Sequence, residues 1–600
     1  MFSIRRPLLS ICLLLPISLL AQAPAPASAA AKTADSQPWI TRSNAFTQQI
    51  LDIQIKYSPE QASAEGLAQY DTQIGDVSTA ADERQQKEER AAVEKLKAAL
   101  AIEKDKNVAE DLQIVIENEE RGFRGHDFGI KRMVPFINAT SLVFYGLQPL
   151  LDDQLPQSRR QASVERLKKY AGVAPGFKPV APQLIAIMKE QMAKPNVIYP
   201  SRADVTTQLA RNAAIVQGLH DLLVKYKVTG WEPAYAALKI QLADYDAWVT
   251  ANILPKSRTD FRLPPELYAM AFEGYGIDIP PAQIATMAHK AFLDYQAQMQ
   301  TLAAQIAKEH GFTSSDYRDV IRELKKKQLV GEEILPFYEK RLHEIEGIIV
   351  AQKLVTLPDR PAIIRLGTPA ESAQQPAPHM VPPPFLHNTG QRGVFVLPLT
   401  APAGPGSAES AKVDDYTFDA ASWTLIAHEA RPGHELQFDS MVEHGVSLAR
   451  SLFAFNSTNA EGWGLYSEYI TLPYMPKEGQ LISLQFRLLR AARAFLDPEL
   501  QAGKIQPADA MKVLIQDVCF SVPFSNQEVE RYTFRSPGQA NSYFYGFTRL
   551  LELRAETEQA LGPKFSPLRF HDFILAQGLL PPGLMKKAVE EYFIPAEKAR

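Results

Sequence analysis

Apolar residues recur at helical spacing through most of the amino-terminal half of this 600-residue chain. In stretches rich in Ala, Lys and Glu, this periodicity predicts amphipathic helices. The mixed Lys and Glu positions between the apolar ones are typical of solvent-exposed helix faces. We therefore expect a mostly helical first half, with helices within residues 82–120, 159–192, 204–226, 233–252 and 281–310.

Strand patterns are sparse and lie close together in the sequence. Residues 362–366 (AIIRL) and 393–397 (GVFVL) are short runs rich in β-branched and aromatic residues, and the Pro-rich stretch 376–384 separates them. Short runs of this kind, bounded by Gly and Pro, predict strands. We expect a small sheet within a mainly α-helical protein.

The length of the chain predicts more than one lobe. Six hundred residues exceed the size at which a single core stops growing, so two lobes around a cleft are expected. We place a mainly helical lobe at 41–360 and a lobe with the sheet and the reactive residues at 361–600, with the two interdigitating. The 46% hydrophobic and 22% charged residues are those of a soluble globular protein, and the formal net charge of −4 argues against nucleic acid as a partner.

The first residues predict export. Arg5 and Arg6 precede an apolar run over 8–20, and Ala27-Ser28-Ala29 offers a cleavage site. This pattern indicates a signal peptide at 1–29, followed by a flexible leader at 30–40. The apolar run is too short to span a bilayer, and Cys12 follows Ile11 rather than the small residue that lipidation prefers. We expect a periplasmic or secreted protein without a membrane anchor after signal removal.

Residues 423–437, WTLIAHEARPGHELQ, concentrate the candidate chemistry. Zinc hydrolases usually carry two histidines four apart on one helix face, with a glutamate as general base. Here His428 and His434 are six apart, which in a regular helix places them about 120° and about 9 Å from each other. Pro432 and Gly433 lie between them and favour a break in the helix. The spacing therefore predicts a kink that lets both histidines hold one metal, with Glu429 beside them as the base.

Three segments resemble one family. HEARPGHELQ, EGWGLYSE at 461–468 and RYTFRSPGQANSY at 531–543 are similar to the signature of the bacterial domain-of-unknown-function 885 family (DUF885), although Asn541 stands where that family usually has leucine. The family resembles gluzincin metallopeptidases such as angiotensin-converting enzyme and the thimet-type oligopeptidases. The resemblance implies a mostly α, two-lobed fold around a deep cleft, a small β-sheet beside the zinc helix, bound zinc and a peptide substrate.

The resemblance also assigns the third zinc ligand. Glu461 and Glu468 fall on a predicted helix at 459–472, seven residues and about 10 Å apart along its axis, so only one can bind the same metal. Glu461 matches the family's ligand position, which gives His428, His434 and Glu461 as the zinc set. Glu468 is then either a hydrogen-bond partner of a histidine N–H or a solvated carboxylate.

Further roles follow from the same resemblance and from local pattern. Tyr543 is implied as the donor that stabilises the oxyanion, with Arg531 as an alternative donor or a carboxylate clamp. The segment 536–539 (SPGQ) looks like a helix start, so Gln539 is predicted to be a cap. His126, in RGHDFGI, is a candidate substrate contact. In the gluzincin-like enzymes an edge strand pairs with the substrate, and GVFVLPL at 393–399 is either that strand or a plain core hairpin.

Other classes of enzyme lack their motifs in this sequence. It contains no Gly-x-Ser-x-Gly elbow, no phosphate-binding glycine loop and no Glu-x-x-His for a di-iron bundle. A frame built on His434 and Glu435 fails because Phe438 stands where its second histidine is needed. We predict a zinc peptidase, and the alternative is a secreted helical binding protein whose metal site is structural or vestigial. The sequence leaves open terminal or internal cleavage and the oligomeric state.

Overall fold

The computed structural model describes residues 38–402, 404, 406–407 and 409–600. The predicted signal peptide at 1–29 lies outside the described residues, as does most of the predicted leader. The last three residues of that leader, 38–40, are helical rather than flexible, because helix α1 (Pro38–Tyr57) already begins there. Its buried face includes Ile50 and Leu51.

The amino-terminal helices pack against one another and contribute to the largest core. After α1 come α2 (Pro59–Ala64), α3 (Thr79–Leu100) and α4 (Lys106–Arg132). The single helix predicted at 82–120 is therefore two helices, and the chain turns between them just before Asp105. The Asp105 carboxylate accepts hydrogen bonds from the backbone N–H groups of Asn107 (2.9 Å) and Val108 (3.4 Å), which caps the new helix.

A second hydrophobic core lies within the next group of helices. They are α5 (Ala139–Leu147), α6 (Gln157–Tyr170), α7 (Val180–Met192), α8 (Arg202–Lys225) and α9 (Glu232–Asn252). The predicted helix at 159–192 is interrupted between α6 and α7. Gly172 adopts a φ of +67° there, and a Cβ at this position would lie 2.4 Å from the Pro179 ring, so the chain turns where only glycine fits.

Four helices follow before the sheet, and the longest of them supports the carboxy-terminal half. They are α10 (Pro265–Gly274), α11 (Pro281–His310), α12 (Tyr317–Lys325) and α13 (Ile334–Gln352). The predicted bounds of α11 are confirmed, and it ends at Gly311 in the left-handed conformation. Helix α11 packs along a long carboxy-terminal helix described below.

Two small sheets form the only strands of the described residues. The elements are β1 (Ile363–Leu366), α14 (Pro369–Gln374), β2 (His379–Val381), β3 (Val394–Leu397), β4 (Thr400–Pro402) and β5 (Ser410–Lys412). The first sheet has the order β1-β3-β2, with β3 parallel to β1 and antiparallel to β2, and β4 pairs with β5. Residues 394–397 of GVFVLPL form the buried central strand, which pairs antiparallel with the preceding strand β2, in agreement with the alternative of a core hairpin. The proposed edge-strand role is wrong, because both sides of β3 are already paired.

The remaining helices surround the reactive segment. They are α15 (Asp419–Glu429), α16 (His434–His444), α17 (Ser457–Thr471), α18 (Lys477–Gln501), α19 (Pro507–Lys512), α20 (Val522–Glu530), α21 (Asn541–Leu561), α22 (Pro567–Ala576), α23 (Pro582–Ala588) and α24 (Ile594–Ala599). Helix α18 is buried over most of its length and contacts α11, α15 and α21. A π-helical turn at Arg531–Arg535 follows α20.

The largest core takes residues from both sides of position 360, including Ile50, Met299, Phe395 and Leu488. The two parts of the chain thus share one core, as expected of segments that interdigitate. Cys519 is buried in this core. Within the described ranges, the helices include none that is both long and apolar enough to cross a membrane.

Candidate metal centre

The helix that begins at Asp419 breaks between the two histidines. Helix α15 ends at Glu429, Ala430 and Gly433 adopt non-helical dihedrals (φ −100°, ψ −103° and φ −74°, ψ −136°), and α16 begins at His434. A Cβ at Gly433 would lie 1.9 Å from the His428 carbonyl oxygen, so the return path needs glycine. The predicted kink is confirmed. It brings the two imidazole centroids to 4.8 Å from each other.

Glu461, in the first turns of α17, completes a set of three ligands. Its Oε2 lies 3.6 Å from Nε2 of His428 and 3.5 Å from Nε2 of His434, and the three candidate ligand atoms all lie within 4.8 Å of one another. Tetrahedral ligands about 2.0–2.1 Å from zinc are separated by roughly 3.3–3.5 Å. The two distances to Glu461 match this separation, so the three side chains are suited to a single zinc ion.

Glu468 lies behind His428, on the side away from Glu461. Its Oε1 is 2.7 Å from Nδ1 of His428, and its Oε2 accepts a hydrogen bond from the Thr424 hydroxyl at 2.7 Å. The residue is 0% exposed, which excludes the solvated alternative. Burial raises the pKa of Glu468, but the hydrogen bond with His428 and the charge of Arg490 together outweigh it. The pKa is therefore lowered, and the carboxylate holds the Nδ1 proton. Nε2 of His428 is left as the metal-binding nitrogen.

A second chain of hydrogen bonds orients His434. Its Nδ1 lies 3.3 Å from the Gln437 side-chain oxygen, and the Gln437 amide donates to Asn459 on α17 at 3.0 Å. Asn459 in turn donates to the Leu580 carbonyl at 2.7 Å. The ring of His434 is thereby fixed relative to the helix that carries Glu461, with Nε2 directed towards the carboxylate.

The EGWG segment of α17 packs closely against the break between α15 and α16. A Cβ at Gly464 would lie 2.6 Å from Cε1 and 2.8 Å from Nε2 of His428, so the imidazole occupies the space that a side chain would take. The Trp463 indole donates to the Pro432 carbonyl at 2.9 Å, which satisfies a backbone group freed by the kink. Gly462 meets Gly546 of α21 at backbone contact distance. Small residues thus let three helices converge at the site.

Glu429 lies beside the three ligands and differs from the other buried acids of the region. It is 7% exposed, and its carboxylate forms no hydrogen bond or ion pair with another residue of the described chain. Burial raises its pKa, the charge of Glu461 adds to this effect, and the two histidines oppose it. A carboxylate without protein partners is available to a water or a substrate.

The carboxylate of Glu435, unlike that of Glu429, is bonded to other residues of the chain. It is fully buried, accepts a hydrogen bond from Nε of Arg431 at 2.8 Å and pairs with Arg360. Arg360 also pairs with Asp439 at 2.8 Å, and Asp439 accepts from the Gly393 N–H at 3.0 Å, immediately before strand β3. These bonds tie α16 to the sheet. Glu435 is therefore structural, in agreement with the failure of the frame built on His434.

The Tyr543 ring lies nearly parallel to the His428 ring. The ring centroids are 6.3 Å apart at an interplanar angle of 18°, and the phenol forms no hydrogen bond with the described residues. Burial raises the pKa of Tyr543, as does the charge of Glu461, so the hydroxyl keeps its proton. The guanidinium carbon of Arg531 lies 5.7 Å from the same ring. Both predicted donors are thus next to the candidate ligands.

Comparison with known proteins assigns the chain to a family. The model of a family described as bacterial protein of unknown function (DUF885) matches residues 59–589. The chain belongs to this family. No curated protein matches the sequence.

Two solved structures share the DUF885 fold seen here. A candidate lipoprotein of unknown function from Shewanella oneidensis is 18% identical, with a TM-score of 0.68 over 93% of this chain and 100% of its own. A candidate lipoprotein from Colwellia psychrerythraea is also 18% identical, with a TM-score of 0.72 over 93% of this chain and 99% of its own. At this identity the likeness establishes the fold alone.

Two predicted residues of this DUF885 chain lie elsewhere or act differently. Gln539 does not cap a helix, because α21 begins later, after Ala540, and no side chain caps it. The Gln539 amide instead donates to Ser457 at the start of α17, at 2.9 Å. His126 lies on α4, where its Nε2 is 2.8 Å from the Asp82 carboxylate, and it is not part of the three-ligand group.

The sequence-based prediction missed the arginines that surround this DUF885 site. Arg490 and Arg493 project from the buried helix α18, and their guanidinium carbons lie 5.6 and 4.6 Å from the Tyr543 ring centroid. The segment 487–493, RLLRAAR, places three arginines at a spacing of three in an otherwise apolar stretch. That spacing indicates one charged stripe on a buried helix and was the available signal.

Proposed function

We propose that this chain is an exported zinc-dependent peptidase that hydrolyses peptide bonds by attack of a water molecule. One observation carries the proposal. Three residues suited to zinc, His428, His434 and Glu461, converge beside a buried glutamate, Glu429, that has no partner among the described residues. A catalytic zinc site has three protein ligands and an open position, and the free carboxylate adjoins that position.

Each step of the proposed reaction is assigned to a residue of the chain. When bound there, zinc would lower the pKa of water and polarise a substrate carbonyl. Glu429 accepts the proton of the attacking water and returns it to the leaving amine, and its raised pKa suits both transfers. The Tyr543 hydroxyl donates a hydrogen bond to the oxyanion that develops on the carbonyl, with Arg531 as the alternative donor.

The proposed fold and location follow from the same family. The resemblance to gluzincin metallopeptidases supports two lobes around a substrate cleft, with the metal centre at its base. Two relatives of the same fold are described as candidate lipoproteins, which supports a place in the cell envelope. We propose that this chain acts on peptides in the periplasm or outside the cell.

The alternative is a helical binding protein with a structural or vestigial metal site. A structural zinc is normally closed by four protein ligands. The described residues supply a group of three, and Glu429 is left unbonded next to it. This arrangement favours the peptidase.

The test is hydrolysis of a peptide library by mature protein of measured zinc content, read by mass spectrometry. Glu429→Gln keeps the shape of the side chain and removes the base. It should keep its zinc and lose about 10²–10⁴-fold in rate. Glu558→Gln, on the surface of α21, is the matched control and should match the wild type. Hydrolysis that is unchanged in Glu429→Gln, or absent from the zinc-loaded wild type, refutes the proposal.

A further inference from the structure

A cluster of arginines adjoins the candidate metal centre, and the chemistry above uses only Arg531 of this cluster, as an alternative oxyanion donor. Arg490 and Arg493 come from α18, and Arg531 comes from the π-helical turn after α20. All three guanidinium groups face the ring of Tyr543, with their carbons 5.6, 4.6 and 5.7 Å from its centroid. Tyr543 itself stacks on His428, so the cluster lies one aromatic ring away from the ligands.

The positive charge of this cluster exceeds the negative charge paired with it. The ion pairs of the described residues join the three arginines to two carboxylates only. Glu528 binds Arg493 through two hydrogen bonds of 2.6 and 2.7 Å, and lies 3.6 Å from Arg531. Glu468 lies 3.8 Å from Arg490 but is already hydrogen-bonded to His428 and Thr424. The charge of Glu461 also acts on Arg490 and Arg531, but this carboxylate belongs to the candidate ligand group. Two paired carboxylates for three guanidinium groups leave room for an anionic ligand.

Some of the N–H donors are also unused. Arg490 and Arg493 are more than nine-tenths buried, and within the described chain Nε of Arg490 and Nη1 of Arg493 have no hydrogen-bond partner. The Arg531 guanidinium forms no hydrogen bond with the described residues, and its side chain is 26% exposed. Buried donors are normally satisfied, and orphaned ones indicate a missing partner. Arg531 is partly exposed and approaches the same carboxylate as Arg493, that of Glu528, so it is the accessible member of the cluster.

We infer that Arg531, with Arg490 and Arg493 behind it, binds the carboxy-terminal carboxylate of a peptide substrate. Guanidinium groups bind carboxylates with charge-assisted, often bidentate hydrogen bonds. The ring centroids of His428 and Tyr543 are 6.3 Å apart, and the guanidinium carbon of Arg531 lies 5.7 Å from the Tyr543 centroid. The guanidinium is therefore no more than about 12 Å from the His428 ring. At about 3.3–3.6 Å per residue, this reach corresponds to one to three residues beyond the cleaved bond. The inference rests on the proposed function and specifies removal of short carboxy-terminal fragments.

The experiment compares two pools of N-acetylated tetrapeptides, one with a free carboxy-terminal carboxylate and one amidated. Binding is measured as retention on immobilised, zinc-loaded Glu429→Gln, and cleavage is measured with the wild type. We expect the acid pool to be retained and cleaved at least tenfold better. Arg531→Gln should reduce this preference by about 10–100-fold, as expected for loss of a charge-assisted hydrogen bond. In the same variant, cleavage of amidated peptides should fall by less than cleavage of acid peptides.

Two further variants make the result specific. Arg531→Lys keeps the charge without the guanidinium fork and should recover part of the preference. Arg322→Gln, on the surface of α12, is the matched control and should behave as the wild type. Zinc content and melting temperature establish that each variant is folded.

The outcomes separate this inference from the proposed function. Equal cleavage of acid and amide pools would overturn the carboxylate site and leave the peptidase standing. Retention of the acid pool without any cleavage would support the site and refute the peptidase. Retention of neither pool, or retention of amidated peptides only where they contain Asp or Glu, would overturn the assignment to the chain terminus.

Discussion

Nδ1 of His428 lies 2.7 Å from Oε1 of Glu468, and both side chains are buried, so one glutamate of α17 orients a ligand of α15. The other glutamate of the same helix, Glu461, lies 3.6 Å from Nε2 on the opposite edge of the same ring. The imidazole is thus held between two carboxylates with different roles. Along α17, seven residues separate Glu461, the candidate metal ligand, from Glu468, which supports His428.

The hydrogen bond between His428 and Glu468 predicts that a change at Glu468 weakens zinc binding without abolishing it. Glu468→Gln removes the negative charge that raises the basicity of His428 but keeps a hydrogen-bonding side chain of the same size. We expect zinc affinity to fall by about 10–100-fold, as is typical when such a partner is changed. Competition with a chelator of known affinity measures the effect. A complete loss of zinc in Glu468→Gln alone would instead make Glu468 the ligand.

The ligand set predicts about one zinc per mature chain. His428→Ala, His434→Ala and Glu461→Gln should each lose the metal after desalting, because each removes one of only three ligands in the described group. Elemental analysis measures the stoichiometry. His343→Ala, an exposed histidine on α13, is the control and should keep its zinc. Wild-type zinc in all three ligand variants would show that the assignment is wrong.

The close packing of Gly464 against His428 predicts that a larger side chain at this position weakens zinc binding. Its Cβ in an alanine variant would overlap the His428 ring at 2.6–3.0 Å, so the imidazole must move away from Glu461. We expect Gly464→Ala to cost about 1–3 kcal/mol in unfolding free energy and to weaken zinc binding. Gly347→Ala on α13 meets open space and should be stabilising by up to about 1 kcal/mol. Equal zinc affinity in both variants would contradict the close contact.

Tyr543→Phe tests transition-state stabilisation separately from metal binding. The hydroxyl is wanted mainly in the transition state, so kcat should fall by about 10²–10³-fold with KM and zinc content little changed. Tyr592→Phe, an exposed tyrosine near the carboxy terminus, is the control. Unchanged turnover in Tyr543→Phe would move the oxyanion role to Arg531 or another donor.

Asp497 predicts a pH dependence of stability. It is fully buried on α18, accepts hydrogen bonds from Tyr268 (2.8 Å) and the Gly538 N–H (2.9 Å), and its pKa is raised by burial to about 8. Its neutral form is therefore favoured in the folded state, and stability is lost as pH rises from about 4, the unfolded pKa, through about 8. Asp497→Asn cannot ionise and escapes this loss.

Chemical denaturation at several pH values measures this effect. The unfolding free energy of Asp497→Asn relative to wild type should rise between pH 5 and 8, by up to about 1.4 kcal/mol per pH unit. Asp52→Asn, at an exposed position on α1, should show no such trend in that window. A constant difference between Asp497→Asn and wild type across the range would refute the buried neutral carboxyl.

The sequence by itself determined the local chemistry of the metal centre. Six-residue spacing with Pro432 and Gly433 between the histidines is incompatible with a shared metal on a regular helix, so the break followed from backbone sterics alone. Helix α11 and the centres of β1 and β3 also followed from periodicity, because these segments are long or strongly patterned. The breaks at Asp105 and Gly172 were missed, since capping and turn geometry are weaker signals than the apolar repeat.

Only the tertiary structure decided which distant residues share the site. Strand β3 became central because β2 formed inside a Pro-rich stretch, a pairing that depends on neighbours far along the chain. The choice between a solvated and a supporting Glu468 needed the position of His428 on another helix. The convergence of Arg490, Arg493 and Arg531 on Tyr543 joins three elements. The arginines of α18 repeat at a spacing of three, but nothing in the sequence shows that Arg531 and Tyr543 meet them. Local sterics are encoded residue by residue, whereas the charge around the site is set by how buried helices meet.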